Sequence, residues 1–214
     1  MAVSDALRSR LQRVAPATSG RLTAAEFLLA GATAGIVGWG GTQAIAWLNH
    51  TSGPLLATGL WVILIGGFIG LTVLHAPDHV RFSDAMLVWG TVNTSAMALT
   101  VGGLLGIVPE ALAYWHAWVG ATAVGYCWTG GVLEGTGQPA RGHGYLGAGI
   151  VGLCLLAVGA VSFPLVATTG YLALAALHAA PMVIDVRTAL PASYRTAVVG
   201  VAVAAALTVG VVVA

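Results

Sequence analysis

The sequence predicts an all-α integral membrane bundle of seven transmembrane helices, with its N-terminus cytoplasmic and its C-terminus outside. Three observations lead there. Of 214 residues, 58% are hydrophobic and only 7% are charged, whereas soluble domains carry about a quarter charged residues. Seven apolar runs of roughly 19 to 25 residues follow one another, each long enough to cross about 30 Å of hydrocarbon. All eight basic residues are arginine, and they fall in segments that would share one side of the membrane, which the positive-inside rule makes cytoplasmic. The expected location is the cell membrane, and the expected partners are the lipid bilayer and other membrane subunits. A net charge of +1 gives no electrostatic footprint for nucleic acid.

Residues 1–23 are predicted as a basic cytoplasmic segment, and 24–214 as a single transmembrane domain. Leu7, Leu11 and Val14 make an apolar stripe among Arg8, Arg10 and Arg13, and Ser4 can cap the helix. Such a segment either lies on an anionic leaflet or is a basic tail that only sets topology. The polar start carries no leader-like apolar run, so the first span is expected to remain as an anchor.

The spans are predicted at about 24–48, 54–75, 84–108, 109–133, 145–167, 168–186 and 196–214. Pro109 and Glu110 divide the third from the fourth, and Thr168, Thr169 and Gly170 divide the fifth from the sixth. Both connections are tight and predict antiparallel hairpins. Residues 134–144, EGTGQPARGHG, hold Glu134 and His143 and predict a mobile loop without a phosphate-binding pattern. The last span has no polar residue beyond its threonines and predicts lipid-facing packing.

Arg8, Arg10, Arg13 and Arg21 precede the first span, and Arg81, Arg141, Arg187 and Arg195 occupy the later connections on the same side. Trp47, Trp115, Trp118 and Tyr171 are then expected in an aromatic belt at the outer interface. Gly31/Gly35, Gly66/Gly70 and Gly102/Gly106 are small-residue pairs that let helices approach closely. Cys127 and Cys154 have no metal or disulfide spacing and are expected as packing residues.

The sixth span carries the main chemical candidate. His178 lies near its centre, Pro181 follows one turn on, and Met182 and Asp185 share the helix face of His178 at i+4 and i+7. An ionisable group at membrane depth is a functional candidate by default. Three roles stay open for His178: a haem ligand, a member of a proton or ion path, or a core histidine bonded to a carbonyl that Pro181 frees. As a haem ligand it would need a second axial histidine, and His116 is the best partner in the chain. As part of a polar path it would act with Asp185 and with Asn93, the mid-span polar residue of the third span. A second cluster, His75-Ala-Pro-Asp78-His79, has histidines at i and i+4 with a carboxylate between them. It is a candidate metal site if the helix continues through it, and a polar interfacial loop if Pro77 ends the helix.

Seven helices without any lysine exclude a retinal Schiff base. Tyr114-Trp115-His116 resembles the Tyr-Trp-His of subunit III of the haem–copper oxidases, itself a small seven-helix membrane protein with its N-terminus inside. That resemblance implies a non-catalytic subunit or accessory factor of a respiratory or haem-linked complex. In the family the tripeptide lies near the C-terminus, and here it lies in the fourth span. Two alternatives stand beside it: a small proton, ion or solute transporter using His178, Asp185 and Asn93, and an intramembrane metal-dependent enzyme using His75, Asp78 and His79. No repeat relates the two halves of the chain, as many transporters require, and no nucleophile–base pair is evident.

Overall fold

The structure, a computed structural model, describes residues 22–48 and 51–189. The predicted segment at 3–15 and the predicted span at 196–214 lie outside the described residues. Among the described residues the chain is entirely helical. The helices are α1 (Ala24–Leu48), α2 (Gly53–His75), α3 (Asp78–Arg81), α4 (Asp84–Leu104), α5 (Ala117–Gly135), α6 (Pro139–Val161) and α7 (Phe163–Ala189). A π-helical turn, Leu112–His116, leads into α5.

Local chemistry sets the ends. Thr23 and Glu26 cap α1 reciprocally: the Thr23 amide donates to Glu26 at 2.8 Å, and the Glu26 amide donates to the Thr23 hydroxyl at 3.2 Å. Ser83 accepts from the Met86 amide at 3.2 Å and starts α4. Gly106, at φ +70°, turns the chain after α4, in a conformation that costs glycine little.

Three helical stretches are long and apolar enough to cross a membrane: Gly53–His75, Pro139–Val161 and Thr169–Arg187. Hydroxyl side chains within the helices bond back to their own backbone. Thr42 donates to Gly38 O at 2.8 Å, Thr94 to Gly90 O at 2.7 Å, and Thr129 to Gly125 O at 2.8 Å. Such bonds let hydroxyl residues sit in an apolar environment without an orphaned donor.

Two boundaries differ from expectation. The fifth and sixth spans do not part at Thr168–Gly170, because α7 runs unbroken from Phe163. The break is Ser162, at φ −148° and ψ 86°. Proline is tolerated in the first turn of a helix and not in its interior, so Pro164 fits α7 only with the helix starting at Phe163, directly after the break. The expected mobile loop at 134–144 is also much shorter, since α5 reaches Gly135 and α6 begins at Pro139. Proline fits the first helical position, where its missing N–H leaves nothing unsatisfied.

Two antiparallel pairs organise the packing. In α1/α7, Gly31 lies against Met182, Gly35 against His178, and Trp39 stacks on Tyr171 with centroids 6.0 Å apart. This rising and falling register sets the C-terminal end of α7 beside the N-terminal end of α1. In α5/α6 the backbones meet directly. A Cβ on Gly130 would stand 2.8 Å from Gly142 O, and one on Gly149 would stand 2.9 Å from Cys127 N. The helix α2 packs on α1 and meets α4 only lightly.

The Leu22 amide donates to His75 O at 3.2 Å, joining the start of α1 to the end of α2. Arg81 follows that junction, while Arg141 pairs with Asp185 near the end of α7. All three described arginines, Arg81, Arg141 and Arg187, therefore lie at one end of the bundle, called here the arginine end.

Three of the four residues expected in an aromatic belt, Trp115, Trp118 and Tyr171, pack in a core, and Trp47 lies outside it. Trp115 and Trp118 are buried, and with Trp39 and Tyr171 they belong to one cluster against which Trp61 packs. Trp39 and Trp61 have centroids 4.5 Å apart, and Trp61 stacks on Trp118 at 5.4 Å. Two indole N–H groups find hydroxyl acceptors inside, Trp118 donating to Thr100 at 2.8 Å and Trp61 to Thr42 at 3.0 Å, while those of Trp39 and Trp115 are buried without one. Polar satisfaction of this kind suits Trp61 and Trp118 to the interior.

The glycine contact predicts a sharp positional contrast. Gly149→Leu should destabilise the folded protein by about 1–3 kcal/mol or more through overpacking against backbone. Gly144→Leu, where nothing lies within 4 Å of the added Cβ, should be tolerated. Thermal unfolding in detergent measures both.

Candidate functional site

A seam of polar and aromatic side chains runs between the α1/α7 pair and the α5/α6 pair. At its arginine end, the Arg141 guanidinium on α6 grips the Asp185 carboxylate on α7, with Nε 2.5 Å from Oδ1 and Nη2 2.6 Å from Oδ2. Tyr145, one turn after Arg141, donates to Asp185 Oδ2 at 3.0 Å. Arg141 also bonds the Gln138 side chain. The Asp185 side chain is 5% exposed and that of Arg141 is 42% exposed. A carboxylate buried in this way requires a bidentate partner, and the planar guanidinium supplies one.

Deeper in the seam, Tyr126 on α5 packs 5.8 Å from the Tyr145 ring and donates its hydroxyl to the backbone carbonyl of His178. The His178 ring is half-buried. It sits in the notch at Gly35, 5.9 Å from Trp89 and 6.2 Å from Tyr126. Trp89 is held by its own bond to Thr129 at 3.1 Å. The Nδ1 atom of His178 is buried without a hydrogen-bond partner. Beyond His178, away from the arginine end, lies the tryptophan core.

His178 therefore faces the interior, as expected, and its face of α7 also presents Asp185 to the seam. The bonds that join the seam run through Tyr126, Tyr145 and Arg141 and bypass Asn93, which is half-buried on α4. The pairing of His116 with His178 does not form. His116 lies ten residues before Tyr126, about 15 Å along α5 at 1.5 Å per residue, and Tyr126 is at the level of His178. Two axial ligands of one haem iron must instead face each other across a single metal ion. The His116 ring is turned to its own helix, with Nδ1 2.7 Å from Ala111 O.

His75, Asp78 and His79 do not converge as a metal site either. Ala76 and Pro77 are extended, at ψ 141° and 146°, so the i, i+4 relation between the histidines is lost. Asp78 is turned to Arg81 at 3.8 Å. Among the described residues no three His, Cys, Asp or Glu side chains are grouped to hold a metal ion.

Sequence reasoning missed Arg141, Tyr145 and Tyr126. Pro139 was the available signal: a helix starting there sets Arg141 and Tyr145 four apart on one face. Comparison with protein-family models, curated proteins and solved structures yields no match, so the chemistry of the seam rests on its own geometry.

Removing one member of the ion pair should cost far more than removing both. Arg141→Leu leaves Asp185 buried without its partner and should destabilise by about 3–5 kcal/mol. The double variant Arg141→Leu/Asp185→Leu should recover most of that loss. Denaturant unfolding of the three proteins in one detergent gives the comparison.

Proposed function

We propose that this chain is a non-catalytic subunit or accessory factor of a larger membrane assembly, set in the cell membrane as seven spans with residues 1–23 cytoplasmic. The exposed surface of α2 carries the proposal. Its most apolar stretch has no buried residue. Gly59, Gly66 and Gly70 share one face of it, and a Cβ added at any of them would have nothing within 4 Å. A row of small residues lets the backbone of another helix come close, which is the main source of helix association in lipid.

The strongest charged pair, Arg141 with Asp185, is engaged within the chain, as suits a packing element better than an open solute path. An apolar groove of about 410 Å³ lies between α1 and α2, lined by residues such as Ala34 and Phe68. The resemblance of Tyr114-Trp115-His116 to the oxidase subunit directs the proposal to a respiratory or haem-linked complex. The common end of Arg81, Arg141 and Arg187 supports the cytoplasmic assignment of that end.

Two measurements test this. In a Cys127→Ala/Cys154→Ala background, Ser52→Cys should react with an impermeant thiol reagent from outside, and Thr136→Cys should not. Reversed labelling overturns the orientation. Purified in mild detergent, the tagged chain should travel with other membrane chains at fixed stoichiometry, with a Soret band belonging to the assembly. Gly66→Leu/Gly70→Leu should release it still folded. A chain that runs alone under those conditions, or carries the Soret band by itself, overturns the accessory role.

A further inference from the structure

The three described arginines share one end of the bundle, yet their guanidinium groups are in three different states. Arg187 is exposed. Arg141 is engaged at all three nitrogens, with Asp185 and the Gln138 side chain as acceptors. Arg81 is neither exposed nor engaged in this way. Its side chain is 5% exposed. Of the five N–H donors of a guanidinium, only one makes a hydrogen bond, from Nη2 to Ala76 O at 2.9 Å. The Nε and Nη1 atoms are buried without an acceptor. The Asp78 carboxylate stands 3.8 Å from Nη1, beyond hydrogen-bond reach, and its side chain is 69% exposed.

Arginine does not deprotonate in proteins, so a guanidinium buried without a close counterion carries a large desolvation cost. The groups around Arg81 do not remove it. Ala76 O accepts one bond and brings no charge. The Phe82 ring, 5.7 Å from Cζ, attracts the cation and accepts no strong hydrogen bond. What completes the site is an anion with two acceptor oxygens, one for Nη1 and one for the second N–H of Nη2 beside it. Phosphate oxygens match that edge of a guanidinium as a fork.

The position of Arg81 selects the source of the phosphate. In the last turn of α2, Val73 and Leu74 are exposed, and the most apolar stretch of that helix has no buried residue. Apolar surface therefore runs to within two residues of Ala76, whose carbonyl Arg81 holds. In the turn that follows, Asp78 and His79 are exposed. Arg81 thus lies where apolar surface gives way to polar surface, which is the level of lipid headgroups. The groove between α1 and α2 approaches the same end, with Leu71 five residues before Ala76, about 7.5 Å along the axis.

We propose that Arg81 is a phospholipid site, whose Nη1 edge takes the phosphate of an anionic glycerophospholipid while the acyl chains lie along α2. Asp78 is the gate: its exposed carboxylate turns to solvent as the phosphate enters, since two anions do not share one guanidinium edge. The bond to Ala76 O fixes the guanidinium against the end of α2, so the headgroup is held at one depth. This inference is independent of the subunit proposal, since a subunit or a free protein can hold such a lipid.

The test uses full-length protein in an uncharged detergent, followed by native mass spectrometry as phosphatidylglycerol is titrated. One phosphatidylglycerol per chain should bind well ahead of any other. Diacylglycerol with the same chains lacks the phosphate and should not fill that site, and inorganic phosphate should not displace the lipid. Arg81→Gln keeps a donor for Ala76 O and should weaken the first binding step about 10-fold or more, the scale of a lost charge-assisted hydrogen bond. Asp78→Asn removes the competing carboxylate and should tighten it. Arg187→Gln removes an exposed cation at the same end and should leave it unchanged. Where Arg81→Gln does not fold, the tightening by Asp78→Asn decides. Binding that ignores Asp78→Asn, that Arg187→Gln weakens as much as Arg81→Gln does, that diacylglycerol reproduces, or that inorganic phosphate displaces overturns the proposal.

Discussion

The helices α5 and α6 are held by how closely their backbones approach, the kind of contact on which helix association in lipid depends. Gly130 meets Gly142 across the interface, while Gly149 and Gly152 meet the α5 backbone near Cys127 and Ala123. That spacing has two effects on the rest of the molecule. It fixes α6 rotationally, so Arg141 and Tyr145 both point at α7. It also presents Tyr126, on the adjacent face of α5, to the same gap. Widening the contact by one side chain would withdraw the ligands of Asp185 together.

The α1/α7 pair uses glycine differently. There the notches receive side chains: Gly31 takes Met182 and Gly35 takes His178. One pair is zipped backbone to backbone, and the other is keyed by larger groups. Polar atoms concentrate where the two pairs face each other, because neither zip nor key fills that gap. Buried polar groups need partners at close range, and the Arg141–Asp185–Tyr145 set meets the need with two charge-assisted bonds and one hydroxyl.

The helical class, the break before Pro109 and the inward direction of His178 were legible in the sequence. Helix rotation was not. With apolar residues around the whole circumference, periodicity does not mark the buried face, so Trp115 and Trp118 read as an interfacial belt when they are core. Of the small-residue pairs visible in the sequence, Gly31/Gly35 does pack, Gly66/Gly70 faces outward, and Gly106 makes a turn. The tightest contact, at Gly130, Gly142 and Gly149, has no four-residue spacing to reveal it. Composition misled at 134–144, where Gly and Pro suggested a loop and hid the helix start that carries Arg141. At Ser162 the signal was Pro164 two residues on, which a helix accepts only in its first turn, but the polar Thr168 and Thr169 drew the boundary instead.

The pairing of the first long helix with the last described one has a consequence for biogenesis. About 140 residues separate Gly35 from His178, a long-range contact of the kind that forms late in folding. During synthesis α1 emerges first, and its partner arrives only after four more long helices have been made. Until then the notches at Gly31 and Gly35 are open to lipid or to a holding factor, while the α5/α6 hairpin can close as soon as it is complete. A ribosome that stalls before residue 185 leaves a nascent chain whose Arg141 has no counterion and whose α1 has no mate. Such a product is a ready substrate for membrane quality control, so the arrival of α7 doubles as a checkpoint on the helices made before it.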